Sequence, residues 1–414
     1  MNYTLYWDER GICKETINQK EEEMKTRKLA IITTVCLFGF GLMLSPTLAF
    51  SESLKVGAVF SVTGRTSFLG DPEKKTALMV AEQINKAGGI NGKKLELVVY
   101  DTEGDATKTN LAVKKLITKD KVCAVIGPSL SGTSMAVVPL AEQNKIPLIS
   151  AAASYKITWD GKKNKPRHWV FKTPQTDTMA VEAIYTHLKK RGINKIAITS
   201  ITTGFGKSGH GELVRLASKY GMNIVGDESY GPKDTDMTVQ LTKIKGAAPG
   251  AIVNWSVGPT QVVILRNWKD LGMTEIPFYQ SHGFGSRKNI KLAAGAAEGV
   301  FAPLGAVNVA ELLPASHPQK AVTMGYMKNY TAKYNEPLSS FGGHAWDALH
   351  LVAKALKAVG CDRAGIRDYL ENKTAGFVGQ HGIFNYSAND HIGLTFNKAF
   401  LMVVVKGDDW ALAN

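Results

Sequence analysis

Short apolar runs alternate with amphipathic segments along most of this chain, and this alternation restricts its fold more than any other feature. The clearest unit spans residues 122–154, where an apolar run, a turn rich in Gly and Ser, an amphipathic segment and a second apolar run follow one another. Short apolar runs are typical of buried strands, and apolar residues spaced three and four apart are typical of helices. The repeated pattern predicts an α/β fold with parallel sheets covered by helices on both faces.

The alternation occurs in two blocks of similar size, separated by extended crossings near residues 171, 301 and 380. We predict two Rossmann-like lobes joined by a three-segment hinge, with residues 52–170 and 302–379 in lobe 1 and residues 171–301 and 380–414 in lobe 2. Ligands of open α/β sheets bind outside the carboxyl ends of the strands. Two facing lobes therefore predict a cleft, and a hinge of several crossings permits it to close.

The N-terminus has the pattern of an export signal. Lys25, Arg27 and Lys28 precede an apolar run over residues 29–44, and small residues follow it. This predicts a signal peptide over residues 24–50, cleaved near residues 49–51, and a periplasmic mature protein. Because the positive region begins just after Met24, residues 1–23 are interpreted as an upstream extension from a wrongly assigned start codon.

Two cysteines, Cys123 and Cys361, remain once the leader is excluded. Cys123 falls in a predicted buried strand and Cys361 at a predicted helix end. One disulfide between them and two free buried thiols are equally good interpretations.

The chain is basic, with 50 Lys and Arg against 36 Asp and Glu and a net charge of +14. The basic residues are scattered singly, apart from a small cluster at residues 161–165. Nucleic-acid binding requires clustered basic residues with interleaved aromatic ones, so no nucleic-acid partner is expected. A basic surface can still help to collect anionic ligands.

The turn after the apolar run of residues 122–126 is a candidate anion site. It carries Ser129, Ser131, Thr133 and Ser134, and Ser131 occupies the N-cap position of the predicted helix. Unpaired backbone N–H groups and hydroxyl donors at a helix start favour a small anion such as a carboxylate. An ordinary strand-to-helix turn with a good cap explains the same residues equally well.

Other patterns point to different chemistry but are incomplete. Residues 204–209 read GFGKSG, a GxGxxG with Asp227 and Glu228 near the spacing of a ribose-binding acid. Export removes the chain from the nicotinamide pool, and the motif lies in the second block instead of the first. The nine histidines lack the spacing of a metal site, and no G-x-S-x-G elbow occurs. We therefore expect no enzyme activity, no metal and no cofactor.

Several motifs occur together in the order of a known family. They are VGAVFSVTG at residues 56–64, AGGING at residues 87–92, VIGP at residues 125–128, IPLIS at residues 146–150, AEGV at residues 297–300 and FGGHAWDA at residues 341–348. Over essentially the whole mature chain, the sequence resembles the substrate-binding proteins of ABC transporters for branched-chain amino acids, the leucine/isoleucine/valine-binding family. The resemblance implies a type I periplasmic binding protein, active as a monomer, with a small carboxylate ligand and ABC permease subunits as partners.

The resemblance also implies a ligand site at particular residues. The turn at Ser131, Gly132 and Thr133 is expected to hold the ligand carboxylate, and a carbonyl and a hydroxyl are expected from Ala152 and Ser154. Two phenylalanines, Phe68 and Phe205, match positions where family members place aromatic rings over the ligand. On this interpretation the GxGxxG belongs to a cleft loop of the second lobe.

One position departs from the family. Where amino-acid binders have an acidic residue for the ligand ammonium, this chain has His282, between Ser281 and Gly283. A buried ammonium needs a counter-charge, and neutral imidazole is a weaker partner than a carboxylate. This favours a branched aliphatic or aromatic carboxylate, with Trp255 suited to contact a ring. Core packing is the alternative role for each aromatic residue and for His282. A sensory receptor subunit with the same cleft, or an exported dinucleotide-dependent enzyme, is the alternative function.

Overall fold

The computed structural model describes residues 53–395 and 398–413. The predicted upstream extension at residues 1–23 and the predicted signal peptide at residues 24–50 lie outside these ranges. Within the ranges, no helix has both the length and the apolar character that are needed to cross a membrane.

Strands and helices alternate as expected. The strands are β1 Leu54–Phe60, β2 Leu95–Asp101, β3 Ala124–Ile126, β4 Leu148–Ser150, β5 Trp159–Asp160, β6 Lys165–Pro166, β7 Val170–Lys172, β8 Lys195–Ile201, β9 Asn223–Tyr230, β10 Ala251–Trp255, β11 Phe278–Gln280, β12 Phe301–Leu304, β13 Phe377–Val378, β14 Ile383–Phe384, β15 Leu401–Lys406 and β16 Asp409–Leu412. The α-helices are α1 Ser67–Lys86, α2 Ala106–Thr118, α3 Ser131–Gln143, α4 Asp177–Lys190, α5 Gly204–Tyr220, α6 Thr238–Gly246, α7 Thr260–Asp270, α8 Arg287–Leu292, α9 Lys320–Tyr334, α10 Ser340–Val359 and α11 Arg363–Lys373.

Two sheets organise the chain, and the predicted α/β fold is confirmed. The first sheet is parallel, in the order β2-β1-β3-β4-β7. The second has five parallel strands, in the order β9-β8-β10-β11-β12, and β15 and β16 extend it in antiparallel orientation. The strand order reverses between β1 and β3 and between β8 and β10. Such reversals leave a crevice at the carboxyl ends of the strands, where ligands bind.

Each sheet is covered on both faces. In the first sheet, α1 and α10 contribute Val80 and Val352 to the core on one face, and α2 and α3 contribute to the core on the other. In the second sheet, α4 and α5 cover one face, and α6 to α8 cover the other. The apolar periodicity therefore builds two separate cores, as expected for two lobes.

The chain passes between the two cores at positions that differ from those predicted. The boundary predicted after residue 301 falls inside β12, which is paired within the second sheet up to Leu304. Residues from 380 onward were expected in lobe 2, but Phe384, Tyr386 and Leu394 pack in the core of the first sheet. The chain rejoins the second sheet at Leu401. Apolar runs locate strands, but they do not specify which of two cores a strand joins.

Cys123 and Cys361 form a disulfide, with their Cα atoms 5.0 Å apart. The interpretation as two free thiols was therefore wrong. Cys123 directly precedes β3, and α10, which packs on the first sheet, ends two residues before Cys361. Packing of α10 brings the cysteines together although 238 positions separate them in sequence.

Candidate functional site

Two connected cavities lie at the carboxyl ends of the parallel strands, between the loops of the two sheets. The inner cavity has a volume of about 50 Å³, and the outer one about 400 Å³. Ser131, Leu130, Phe205 and Val257 line both, so these residues mark the junction of the two cavities. Room for only a few waters in the inner cavity restricts its occupant to a small molecule.

Ser131 begins α3 at this junction. Its predicted place at the N-cap was wrong, because the N-cap is Leu130 and no side chain caps the helix. The Ser131 Oγ atom accepts the backbone N–H of Ser154 at 3.3 Å. The Ser131 hydroxyl proton remains available to an acceptor in either cavity, beside the positive end of α3. Gly132 and Thr133 line the outer cavity only.

The other hydroxyl groups of the turn form hydrogen bonds within the protein. Ser134 lies 2.8 Å from the Ser150 hydroxyl, and the Thr133 hydroxyl donates to the Leu130 carbonyl at 3.0 Å. Ser129 lines the inner cavity, but its hydroxyl is bonded to the carboxyl group of Glu73 and accepts the N–H of Ser61. Burial raises the pKa of Glu73 well above its usual value. Ser131 is therefore the member of the turn whose hydroxyl is best placed for a ligand.

The predicted partners Ala152 and Ser154 differ in position. Ala152 lines the inner cavity, whereas Ser154 lines neither. The Ser154 hydroxyl oxygen lies 2.8 Å from that of Ser208 in α5, which packs on the second sheet. This contact joins the two lobes. A second interlobe contact runs from Arg65 Nη1 to the Pro232 carbonyl at 3.0 Å.

The predicted aromatic residues do not all line the cavities. Phe205 lines both cavities and Phe68 lines the outer one. Trp255 is fully buried and lines neither cavity. Its ring centroid lies 6.1 Å from that of Phe205 and 5.7 Å from that of His282. Trp255 thus supports two cavity residues from behind.

His282 follows β11 and lines the inner cavity. Its side chain is only 11% exposed, and its ring packs against the rings of Phe205 and Phe400, with centroids 5.3 and 5.4 Å away. Neither ring nitrogen has a hydrogen-bond partner among the described residues. Burial is the main cause that lowers the pKa of His282 to about 3, and the charge of Lys172 contributes to this shift. The ring is therefore neutral at physiological pH.

Two buried charged residues near His282, Asp177 and Lys172, were not revealed by the sequence. Asp177 Oδ1 lies 4.0 Å from His282 Nε2. Lys172 is buried nearby, and its ammonium donates to the carbonyls of Ala153, Pro174 and Gln175 at 2.6, 2.8 and 3.2 Å. Burial lowers the pKa of Lys172 and raises the pKa of Asp177, and the attraction between the two opposes both shifts. In sequence, Asp177 reads only as an acidic residue in the first turn of a helix.

Two further histidines, His344 and His381, line the inner cavity and were also missed. Their rings stack with centroids 3.7 Å apart. The Nδ1 atom of His381 lies 3.0 Å from Asp347 Oδ2. His344 and Asp347 both fall in a run that reads in sequence as a buried helix. In the described part of the chain, no group of three or more His, Cys, Asp or Glu side chains is arranged to hold a metal ion.

The GxGxxG lies in the first turns of α5, which begins at Gly204, and not in a loop as the resemblance implied. A Cβ atom on Gly206 would lie 1.7 Å from the Ile201 carbonyl oxygen, and one on Gly209 would lie 1.9 Å from Trp255 Nε1. Gly204 approaches the backbone of Gly132 in the other lobe, where a Cβ atom would lie 3.2 Å from it. Close packing therefore accounts for all three glycines without a dinucleotide.

Comparison with known proteins finds similarity along the whole described chain. A family model described as "Periplasmic binding protein" matches residues 53–409. A leucine-, isoleucine-, valine-, threonine-, and alanine-binding protein of Pseudomonas aeruginosa is 26% identical over 312 residues, which cover 75% of this chain and 79% of the relative. A Leu/Ile/Val-binding protein homolog 1 of Brucella melitensis is 26% identical over 77% of this chain and 83% of the relative.

Solved structures show the same fold. An extracellular ligand-binding receptor from Rhodopseudomonas palustris HaA2 matches with a TM-score of 0.81 and 27% identity, over 88% of this chain and 100% of that chain. A branched-chain amino acid transporter substrate binding protein from Streptococcus pneumoniae, solved in complex with isoleucine, matches with a TM-score of 0.77 and 27% identity, over 88% of this chain and 99% of that chain. The similarity includes both lobes and the loops between them.

Proposed function

Because this chain belongs to the periplasmic binding protein family, we propose that it captures a branched-chain amino acid or a related small hydrophobic or aromatic carboxylate between its two lobes. The resemblance to the leucine/isoleucine/valine-binding family and the type I fold are confirmed. The proposed partners are ABC permease subunits that receive the ligand. The relatives named above are binding proteins and not enzymes.

The observation that carries the proposal is the position of Ser131, at the start of α3 and at the junction of the two cavities. A helix N-terminus and a hydroxyl donor stabilise a carboxylate, and hydrogen bonds to charged groups are stronger than neutral ones. Ala152 and Phe205 provide a largely apolar surface beside Ser131. A small carboxylate with a compact apolar body fits this combination of groups.

Lobe closure is part of the proposal. The bonds between Ser154 and Ser208 and between Arg65 and Pro232 would break if the lobes moved apart. A ligand that contacts both lobes adds its own contacts to the closed state and shifts the population toward it. The permease is then presented with a closed, loaded protein. We also propose that residues 24–50 direct export and that the mature protein acts in the periplasm.

The proposal is tested by identifying what the exported protein carries. The purified protein is denatured, the released small molecules are analysed by mass spectrometry, and thermal shifts are measured with leucine, isoleucine, valine, threonine and a set of aliphatic and aromatic carboxylates. A released carboxylate that also raises the unfolding temperature supports the proposal. Release of a nicotinamide or a flavin, with no thermal shift from any carboxylate, contradicts it.

A further inference from the structure

Three histidines make part of the inner cavity polar, and an aliphatic side chain of a ligand would form no hydrogen bonds with them. His282, His344 and His381 line the inner cavity and do not line the outer one, whereas Ser131 lies where the cavities meet. His344 is 7% exposed and His381 is 2% exposed. Both nitrogens of His282, Nδ1 of His344 and Nε2 of His381 are buried without a hydrogen-bond partner among the described residues. A buried polar atom left unpaired costs about 1–3 kcal/mol.

The bond to Asp347 fixes the role of His381. The two Asp347 oxygens accept the backbone N–H groups of Gln380 and His381 at 2.6 and 3.1 Å. An oxygen that accepts these bonds also accepts the ring proton of His381, so we assign that proton to Nδ1. Nε2 then lies on the opposite side of the ring from Asp347, and it has no hydrogen-bond partner among the described residues.

His282 requires both a hydrogen-bond acceptor and a hydrogen-bond donor. A neutral imidazole carries one N–H donor and one acceptor nitrogen, and neither nitrogen of His282 has a partner. Its ring is held neutral by burial. His344, whose pKa burial also lowers, is stacked on His381, so protonation of both rings would place two positive charges in contact. The cavity thus presents the donor and the acceptor nitrogen of neutral His282, together with one unpartnered nitrogen each from His344 and His381.

A hydroxyl is the smallest ligand group that satisfies both requirements of His282. A second carboxylate has no proton to donate to the acceptor nitrogen of His282, and it would also approach the carboxylates of Asp177 and Asp347. An ammonium has no lone pair to accept from His282. A methyl group neither donates nor accepts a hydrogen bond, so it leaves the ring nitrogens without a partner. A hydroxyl donates one hydrogen bond and accepts others, so it matches the set.

We propose that the ligand is a small carboxylate that carries a hydroxyl group at its end remote from the carboxylate, and that His282, His344 and His381 bind this hydroxyl. The inference rests on the proposed function, because the carboxylate end is placed at Ser131. Because the inner cavity has a volume of only about 50 Å³, it holds the hydroxyl end of the ligand and little more.

The test uses four carboxylates of matched length that differ in the terminal group: pentanoate, 4-hydroxybutyrate, 4-aminobutyrate and glutarate. Their dissociation constants are measured by calorimetry at neutral pH, with isoleucine and the pair benzoate and 4-hydroxybenzoate alongside. We expect the hydroxyl compound in each set to bind about tenfold or more tighter than its partners, as one satisfied buried pair implies. If pentanoate, 4-aminobutyrate or glutarate binds as tightly as 4-hydroxybutyrate, the inference is wrong while the proposed function stands. If no carboxylate and no amino acid binds, both are wrong.

Variants identify the residues responsible. His282→Phe and His344→Phe keep a planar ring and remove the nitrogens, and each should reduce the preference for 4-hydroxybutyrate over pentanoate to within about threefold. His350→Phe is the matched control, because His350 stacks on Trp346 and lines neither cavity. Circular dichroism verifies folding, and either phenylalanine variant that folds is sufficient. A full hydroxyl preference in a folded His282→Phe or His344→Phe protein overturns the assignment.

Discussion

The hydroxyl oxygens of Ser154 and Ser208 lie 2.8 Å apart, although Ser154 follows a strand of the first sheet and Ser208 lies in a helix on the second. The bond connects the two lobes beside the cavities, and both residues are buried. It would therefore break if the two lobes moved apart.

Removal of this bond should weaken ligand binding, because the closed state loses an interlobe contact. Ser154→Ala and Ser208→Ala should each weaken the tightest-binding carboxylate by about two- to tenfold, the net value of one hydrogen bond. The double variant should bind the ligand about as tightly as either single variant, because each single substitution already removes the bond. Calorimetric titration of the four proteins checks this. Fully additive losses would show that the two hydroxyls act separately.

Gly206 and Gly211 lie in the same helix and should respond oppositely to alanine. A Cβ atom on Gly206 would collide with the Ile201 carbonyl, whereas nothing lies within 4 Å of one on Gly211. Gly206→Ala should cost several kcal/mol or prevent folding, in the range of other severe packing errors. Gly211→Ala should stabilise the protein by about 0.5–1 kcal/mol, because alanine favours helix. Urea unfolding measures both. Equal effects would contradict the packing role of the motif.

The disulfide between Cys123 and Cys361 should contribute substantially to stability. It closes a loop of 238 positions, and loss of a native disulfide costs about 2–5 kcal/mol. The double variant Cys123→Ser/Cys361→Ser should therefore unfold at lower urea concentration than the wild type, and a reducing agent should destabilise the wild type only. Alkylation followed by mass spectrometry provides the control. Two alkylated cysteines in the unreduced, unfolded protein would contradict the pairing.

His282 should make the unliganded protein less stable as the pH falls. Its folded pKa of about 3 lies below the ordinary value of 6.5, so between these values the unfolded chain binds a proton that the folded chain excludes. The folded-to-unfolded ratio should lose about a factor of ten per pH unit from this residue as the pH falls below 6.5. Because Asp177 and Lys172 titrate nearby, the comparison is with His282→Phe, measured by urea unfolding at several pH values. The free energy of unfolding of the wild type relative to the variant should fall toward low pH, and a difference that does not change with pH would contradict a neutral buried His282.

The sequence was informative where local pattern determines structure. Apolar periodicity predicted the two parallel sheets. Ser131, Ala152, Phe205 and His282, which follow β3, β4, β8 and β11 at the carboxyl ends of these strands, all line the inner cavity. His344 and His381 could not be predicted in this way. They come from α10 and from the segment after β13, which reach the cavity only because the chain returns to the first lobe after β12.

The same limit applies to buried pairs. The contact between Cys123 and Cys361 and the proximity of Asp177 to His282 each join segments that are far apart in sequence. Tertiary packing decides such contacts, and no local signal marks them. Ser131 was placed correctly at a helix start, but its assignment to the N-cap was wrong, because Leu130 is the N-cap and Ser131 is the first residue of α3.

The most direct test of the account is the affinity of Ser131→Ala for the tightest-binding carboxylate, measured by isothermal titration calorimetry. Ser218→Ala is the control, because Ser218 is an exposed serine of α5 outside both cavities. Ser131→Ala should lose about 1–3 kcal/mol of binding free energy, and Ser218→Ala should lose none. The carboxamide analogue of the ligand should bind poorly to the wild type. Unchanged affinity in a folded Ser131→Ala protein, or equal binding of the carboxamide, would contradict the placement of a carboxylate at the start of α3.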